Sequence, residues 1–165
     1  MHSRQLERLY DEHASSVFAF LLNLARSEAD AADLVQEVFI KTARRPFFTV
    51  REPRRYLLRA AHNAFVDLVR RGTRRREAVE EFRLAGDRFW ISGEESEEVE
   101  RLLEELAGLP EEQRAVVHLK IWEELTFREI AKTLGIPANT AASRYRYAID
   151  KLRDAARLHS ENETV

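Results

Sequence analysis

Residues 125–154 read LTFREIAKTLGIPANTAASRYRYAIDKLRD, the pattern of two helices joined by a tight turn. Thr126 and Glu129 have the spacing of a capping box, in which hydroxyl and carboxylate each satisfy a backbone N–H at the helix start. Gly135 permits the left-handed residue that ends the first helix, and Pro137 prevents that helix from simply continuing. This layout predicts a helix-turn-helix, the geometry that places a second helix in the major groove of DNA.

The second helix of this motif has an inward and an outward face. Tyr145 and Ala148 fall at core spacing and are expected to pack inward. On the outer face, Arg144 suits a bidentate contact with a guanine edge, and Thr140 and Ser143 suit phosphates near the helix start. The residues predicted to face DNA are Thr140, Ser143, Arg144, Arg146 and Tyr147.

Composition limits the kind of protein. The chain has 165 residues, which suits one domain or two small ones, and only 5 Gly and 4 Pro, which favours long helices over strands. It contains no cysteine, which excludes disulfides and thiolate metal sites and fits a reducing compartment. Residues 1–13 are charged and amphipathic, unlike a signal peptide, and the longest apolar run, 17–22, is too short to span a bilayer. We therefore expect a soluble cytoplasmic protein.

Charge is distributed unevenly along the chain, although the net charge is only −2. Residues 41–76 carry 12 basic and 2 acidic side chains, whereas residues 77–112 carry 3 basic and 13 acidic ones. A basic block of this density is typical of a surface that contacts a phosphate backbone. The acidic block is expected to repel DNA, or to mask the basic block while the protein is free. The alternative is that both blocks are solvated helix faces.

The apolar pattern predicts an all-α chain with two small helical domains joined by a linker. The N-terminal domain spans 1–76, the linker 77–95, and the C-terminal domain 96–165 with the helix-turn-helix. Ser27 is expected to cap one helix of the first domain, and Pro53 to begin another that Gly72 ends. The linker stretch from Phe82 to Ile91 is too apolar for a free tether and is expected to dock on a domain or a partner.

Three further segments accompany the helix-turn-helix. Residues 30–39 read DAADLVQEVF, residues 55–71 read RYLLRAAHNAFVDLVRR, and residues 109–114 read LPEEQR. In their order and spacing, the four segments resemble an extracytoplasmic-function sigma factor, the small two-domain branch of the sigma-70 family of bacterial RNA polymerase. The resemblance covers nearly the whole chain. It implies that the helix-turn-helix reads the −35 element of a promoter.

The first segment resembles the acidic polymerase-binding helix of that family. Asp33, Gln36 and Glu37 fall at i, i+3 and i+4, so that they form one polar patch on a helix. The resemblance implies that this patch binds a coiled coil of the largest polymerase subunits. Without the resemblance, an ordinary exposed acidic face explains the same residues.

The second segment resembles the helix that reads and melts the −10 element. There Asn63 stands where the family places a base-contacting Asn, although an exposed amide bonded to water is the alternative. Arginines around this helix suit sequence-independent phosphate contacts. The loop before the helix holds two phenylalanines, and the resemblance implies that it captures a flipped base, unless one Phe fills the core instead. The −10 residues are Phe47, Phe48, Arg55, Arg59, Asn63, Arg70 and Arg71.

Three features of the sequence depart from the pattern of the family. Tyr56 stands where a Trp is usual near the start of the melting helix, and it keeps an aromatic body. The recognition helix opens with Asn139-Thr140-Ala141-Ala142, without the usual basic residue, and Tyr147 stands where Arg is frequent. The −35 sequence therefore cannot be carried over from relatives.

The resemblance implies a sigma factor that binds core RNA polymerase and directs promoter-specific transcription initiation, with an anti-sigma factor as a further expected partner. The five histidines show no ligand spacing, and no nucleotide-binding or nucleophile motif is present, so we expect neither an enzyme nor a cofactor or metal. The alternative is a free-standing helix-turn-helix repressor or activator, which would bind its operator alone as a dimer. A protein adaptor without DNA binding would leave the basic block unexplained.

Overall fold

The computed structural model describes residues 2–45, 50–72 and 97–164. Over these residues the chain forms seven α-helices and no strand, which confirms the predicted all-α class. The helices are α1 (His2–Ala25), α2 (Glu28–Ala43), α3 (Pro53–Arg70), α4 (Glu97–Gly108), α5 (Glu111–Ile121), α6 (Phe127–Leu134) and α7 (Ala138–Glu163). None of these helices combines the length and the apolar character needed to cross a bilayer.

The chain divides into two compact units, residues 1–90 and 91–165. The finer division, with a linker over 77–95, stays a prediction because that stretch lies outside the described residues. The predicted base-capturing Phe47 and Phe48 and the apolar segment 82–91 lie outside them as well.

The first unit is a three-helix assembly in which α1, α2 and α3 each pack against the other two. Phe20 and Leu21 of α1 and Leu57 and Leu58 of α3 are completely buried in its core. The helix boundaries follow from local chemistry. At the start of α2 the Ser27 hydroxyl accepts a hydrogen bond from the backbone N–H of Asp30 at 3.1 Å, as predicted.

The helix α3 begins at Pro53, whose missing N–H is no loss in the first turn. It ends near Gly72, which has a φ of +66° and so occupies the left-handed region as the sequence predicted. α2 and α3 are neighbours in this first unit. The basic block, residues 41–76, begins at the end of α2 and includes all of α3.

The second unit is organised around α7, which packs against α4, α5 and α6. Val116, Leu119, Ile130 and Ala141 are completely buried. Arg114 is buried too, and its guanidinium donates to the backbone carbonyl of Leu109 and, at 3.4 Å, to that of Ala107. It thereby satisfies carbonyls at the end of α4 that have no partner within the helix.

The helix-turn-helix has the local structure predicted from the sequence. The Thr126 hydroxyl accepts from the backbone N–H of Glu129, and the Glu129 carboxylate accepts from that of Thr126, each at 3.2 Å. Gly135 ends α6 with a φ of +67°. Beyond the turn, α7 runs for 26 residues and continues nine residues past Asp154.

Candidate nucleic-acid and protein interfaces

The predicted polar patch lies on the outer face of α2. Asp33 and Gln36 are exposed, and Glu37 is half-buried. The Lys41 ammonium lies 2.6 Å from the Glu37 carboxylate. This i,i+4 ion pair was not predicted from the sequence. The patch therefore presents the Asp33 carboxylate, the Gln36 amide and one ion pair, so that its net charge is weaker than the acidic residues alone suggest.

An apolar groove between α1 and α2 adjoins this patch. Ile40, one turn after Glu37, is 53% exposed, and Tyr10 of α1 is 50% exposed. The groove has a volume of about 610 Å³, and Phe39 contributes to its floor, with its ring 5.0 Å from that of Tyr10. The exposure of Ile40 could have been predicted from the sequence, because an isoleucine seven residues after Asp33 falls on the polar side of α2.

A basic cleft separates α2 from α3 and has a volume of about 840 Å³. The face of α3 that lines it carries Tyr56, Arg59, Asn63 and Asp67 at helical spacing. From α2 and the residues that follow it come three cations, which are Lys41, Arg44 and Arg45. The structure thus brings the predicted Arg59 and Asn63 together with an aromatic ring, a carboxylate and three further cations.

Such a cleft matches the chemistry of an unpaired nucleotide. An aromatic ring offers a stacking surface, an amide and a carboxylate offer hydrogen bonds to a base edge, and cations bind phosphate. The spacing of Tyr56, Arg59 and Asn63, three and four residues apart, could have predicted from the sequence that they share one face of α3. The contribution of α2 could not be found that way, because it depends on how the two helices pack.

The other cations predicted for the −10 region are placed differently. Arg55 is half-buried and forms an ion pair with Glu52. The Nε of Arg71 donates to the backbone carbonyl of Asp67 at 3.3 Å, while Arg70 is exposed. Arg70 and Arg71 lie at the end of α3, and Arg55 at its start, so these three cations do not form one cluster.

On the recognition helix α7, buried Ala141 and Ala148 fix which side faces the core. The ring of Tyr145 packs 5.5 Å from that of Phe127, in the inward position predicted for it. By contrast, Tyr147 is 63% exposed. Tyr145 and Tyr147 thus serve opposite faces of the helix.

Two of the predicted DNA-facing residues are engaged within α7. The Ser143 hydroxyl donates to the backbone carbonyl of Asn139 at 2.9 Å, and the Arg146 guanidinium donates to that hydroxyl at 3.4 Å. Thr140 and Arg144 are half-buried on the same side of the helix. Arg144 and Tyr147, three residues apart, therefore share a face.

One buried titratable pair lies in the second unit, away from these surfaces. His118 is buried, with its Nε2 atom 3.9 Å from a carboxylate oxygen of buried Glu123. Burial lowers the pKa of His118, and the nearby Glu123 carboxylate opposes that shift only in part. Across the described ranges, no group of three or more His, Asp or Glu side chains is arranged to hold a metal ion.

Comparison with protein families and known proteins gives a consistent result. The family model of sigma-70 region 2 matches residues 9–75, and that of sigma-70 region 4 matches residues 106–154. The first match spans most of α1 and all of α2 and α3, and the second spans the end of α4, α5, α6 and the first two-thirds of α7.

Similar proteins include the ECF RNA polymerase sigma factor SigL of Mycobacterium tuberculosis, which is 33% identical over 154 residues that cover 90% of this chain and 86% of the relative. The ferric citrate uptake sigma factor FecI of Escherichia coli is 32% identical, over 81% of this chain and 80% of its own. Among solved structures, the sigma factor RpoE of Bartonella quintana, crystallised with the anti-sigma factor NepR, aligns with a TM-score of 0.64 and 17% identity, covering 94% of this chain and 96% of that one. That last likeness shows a shared fold.

Proposed function

The chain belongs to the extracytoplasmic-function (ECF) sigma factors of the sigma-70 family, and from this membership we propose that it binds core RNA polymerase and directs transcription initiation at specific promoters. The observation that carries the proposal is the presence of both sigma-70 regions, in order, on two separate helical units. A free-standing helix-turn-helix regulator would account for residues 106–154 alone. The sigma-70 family is not a class of enzymes, and RNA synthesis is left to the polymerase.

The outer face of α2 is the proposed polymerase-binding surface. Asp33, Gln36 and Glu37 supply polar contacts, and Ile40 adds an apolar side chain on the same stripe. Exposed apolar residues beside charges are typical of protein interfaces, where a few buried side chains provide most of the binding energy. The Glu37 carboxylate is paired with Lys41 on this surface.

The cleft between α2 and α3 is the proposed site for an unpaired base of the −10 element. Tyr56 supplies a ring for stacking, and Asn63 an amide that both donates and accepts toward a base edge. Arg59 lies beside them for the phosphate backbone. Arg55, Arg70 and Arg71 add phosphate contacts along α3, and Phe47 and Phe48 belong to the loop that leads into it.

The outer face of α7 is the proposed reader of the −35 element. Two cations, Arg144 and Arg146, lie among its first nine residues, which hold no acidic side chain. In a helix-turn-helix the N-terminal part of the recognition helix contacts the base edges. Thr140, Ser143 and Tyr147 complete this face.

We also propose a cytoplasmic location and control by an anti-sigma factor. The location follows from the proposed partner, since a subunit of bacterial RNA polymerase works where the DNA is. The anti-sigma proposal is supported by the family and by the similar fold of a sigma factor that was crystallised with such a partner. We propose no cofactor for polymerase binding or for promoter recognition.

Run-off transcription tests the proposed function. Purified core polymerase is combined with this protein on genomic fragments, beginning with the region upstream of its own gene. We expect discrete transcripts only when both proteins are present, because a sigma factor needs core polymerase for tight, specific binding. The outcome that favours a free-standing regulator is tight binding of the protein alone, as a dimer, to two-fold related half-sites.

A further inference from the structure

Tyr147 is an exposed large hydrophobic side chain on the proposed DNA-facing part of α7. Its exposed fraction of 63% is far above that expected for a ring in a packed unit, whereas Tyr145 next to it is packed against Phe127. The helix therefore directs one of its two tyrosines toward the core and the other outward. Packing in the core explains why a tyrosine stands at position 145, but it does not explain the tyrosine at position 147.

The polar groups around Tyr147 leave it a distinct role on this face. The Ser143 hydroxyl is engaged with the carbonyl of Asn139 and with Arg146 inside the helix. Arg144 is the side chain on this face with the geometry for a guanine edge. Tyr147, three residues from Arg144, offers its ring and its hydroxyl on the same face.

Charge along α7 is of one sign only in its first half. From residue 138 to 149 the helix has two cations and no acidic residue. Farther along, exposed carboxylates alternate with exposed cations, in the order Asp150, Lys151, Arg153, Asp154 and Arg157. Tyr147 lies in the first half of the helix, and the N-terminal part of a recognition helix is the part that contacts base edges.

The major groove contains one apolar group on a base edge, the C5-methyl group of thymine. An exposed aromatic ring gains most by covering such a group, because both surfaces then leave water. Building on the proposed function, we propose that Tyr147 determines −35 specificity by packing its ring against the C5-methyl group of one thymine.

The test uses the complete holoenzyme and a promoter fragment obtained by run-off transcription. Each thymine of the −35 element is replaced in turn by uracil, which removes only the methyl group, and binding is measured by titration. We expect one replacement to weaken binding by about three- to tenfold, from the loss of one buried methyl contact. Tyr147→Ala should weaken binding to the thymine duplex by a similar factor and reduce the thymine-to-uracil ratio at that position to about one.

Tyr147→Phe separates the ring from the hydroxyl, and it should keep the full thymine-to-uracil ratio. The matched control is Leu158→Ala, a truncation of a side chain that is also 63% exposed on α7 but lies in the second half of the helix. This variant should leave the affinities for the thymine duplex and for the uracil duplex unchanged. The inference is overturned if no uracil replacement affects the wild-type holoenzyme, if the ratio persists in Tyr147→Ala, or if Tyr147→Phe behaves like Tyr147→Ala, which would assign a phosphate contact to the hydroxyl.

Failure of this inference differs from failure of the proposed function. A holoenzyme that transcribes from the promoter but ignores the methyl groups retains its function without this contact. If no fragment supports transcription, the proposed function fails and the thymine contact fails with it.

Discussion

At the scale of single residues, the buried His118 links stability to pH. Burial lowers its pKa, so the folded chain binds a proton on this imidazole less readily than the unfolded chain, whose histidine has a pKa of about 6.5. The unfolded state is therefore favoured as the pH falls below that value. We predict that the free energy of unfolding declines more steeply from pH 7 to pH 5 in the wild type than in His118→Gln.

Urea denaturation followed by circular dichroism measures this difference. The two proteins differ only at residue 118, so the difference between the two curves reports on His118 and its contact with Glu123. His159→Gln is the control, since it removes an imidazole that also lies near a carboxylate, 3.5 Å from Glu105, but is exposed. Parallel curves for the wild type and His118→Gln would show that the His118 imidazole does not contribute to acid sensitivity.

We predict different roles in DNA binding for Arg144 of α7 and for Arg71, which caps the end of α3. Arg144→Ala should weaken promoter binding by about 1–3 kcal/mol and relax the preference at one base pair of the −35 element. Arg71→Ala should weaken binding evenly across sequences and reduce its salt dependence, because it removes a phosphate contact. Titrations of the holoenzyme on a promoter and its single-base variants, at two salt concentrations, compare the two. If both variants lose affinity evenly, Arg144 contacts only phosphate.

At the scale of the helical elements, α2 separates two kinds of surface. Its inner stripe, with Leu34 and Val38, is buried, and its outer stripe carries Asp33 and Glu37. We predict that Asp33→Lys combined with Glu37→Lys abolishes co-elution with core polymerase. The inner stripe is untouched, so helical content and melting temperature should change little, apart from the small effect of a like charge beside Lys41.

The double variant Asp154→Lys with Glu161→Lys is the matched control. It reverses the same number of exposed charges on α7, in the second unit and outside the proposed interface. Its co-elution should match the wild type. Undiminished co-elution of the α2 variant would move the polymerase contact elsewhere on the molecule.

The elements also show how far the sequence could predict this structure. The capping box at Thr126, the turn at Gly135 and the cap at Ser27 were predicted because each depends on residues within four positions of one another. The helical face of Asn63 followed from the same local period. The cleft it lines was not predicted, because its second wall comes from α2 and depends on how two helices pack. The Glu37–Lys41 ion pair also joins residues four positions apart, but it was not predicted from the sequence.

At the scale of the whole molecule, the opposed charge blocks are its largest unexplained property. Residues 41–76 carry 12 basic and 2 acidic side chains, and residues 77–112 carry 3 and 13. A chain with the basic block alone would bind any duplex through counterion release. A sigma factor that did so without polymerase would be spread over the chromosome. We predict that the acidic block suppresses non-specific binding by the free protein.

Neutralising part of that block tests the prediction. Glu77, Glu80 and Glu81 are replaced together by Gln in the full chain, and binding to a non-promoter duplex is measured without polymerase at several salt concentrations. We expect tighter binding at low salt and a steeper dependence on salt, because more cations then reach phosphates. The control replaces Glu7, Asp11 and Glu12 of α1 by their amides, which changes the net charge equally. Equal gains in both variants would mean that net charge alone matters, and that the position of the acidic block beside the basic one has no separate effect.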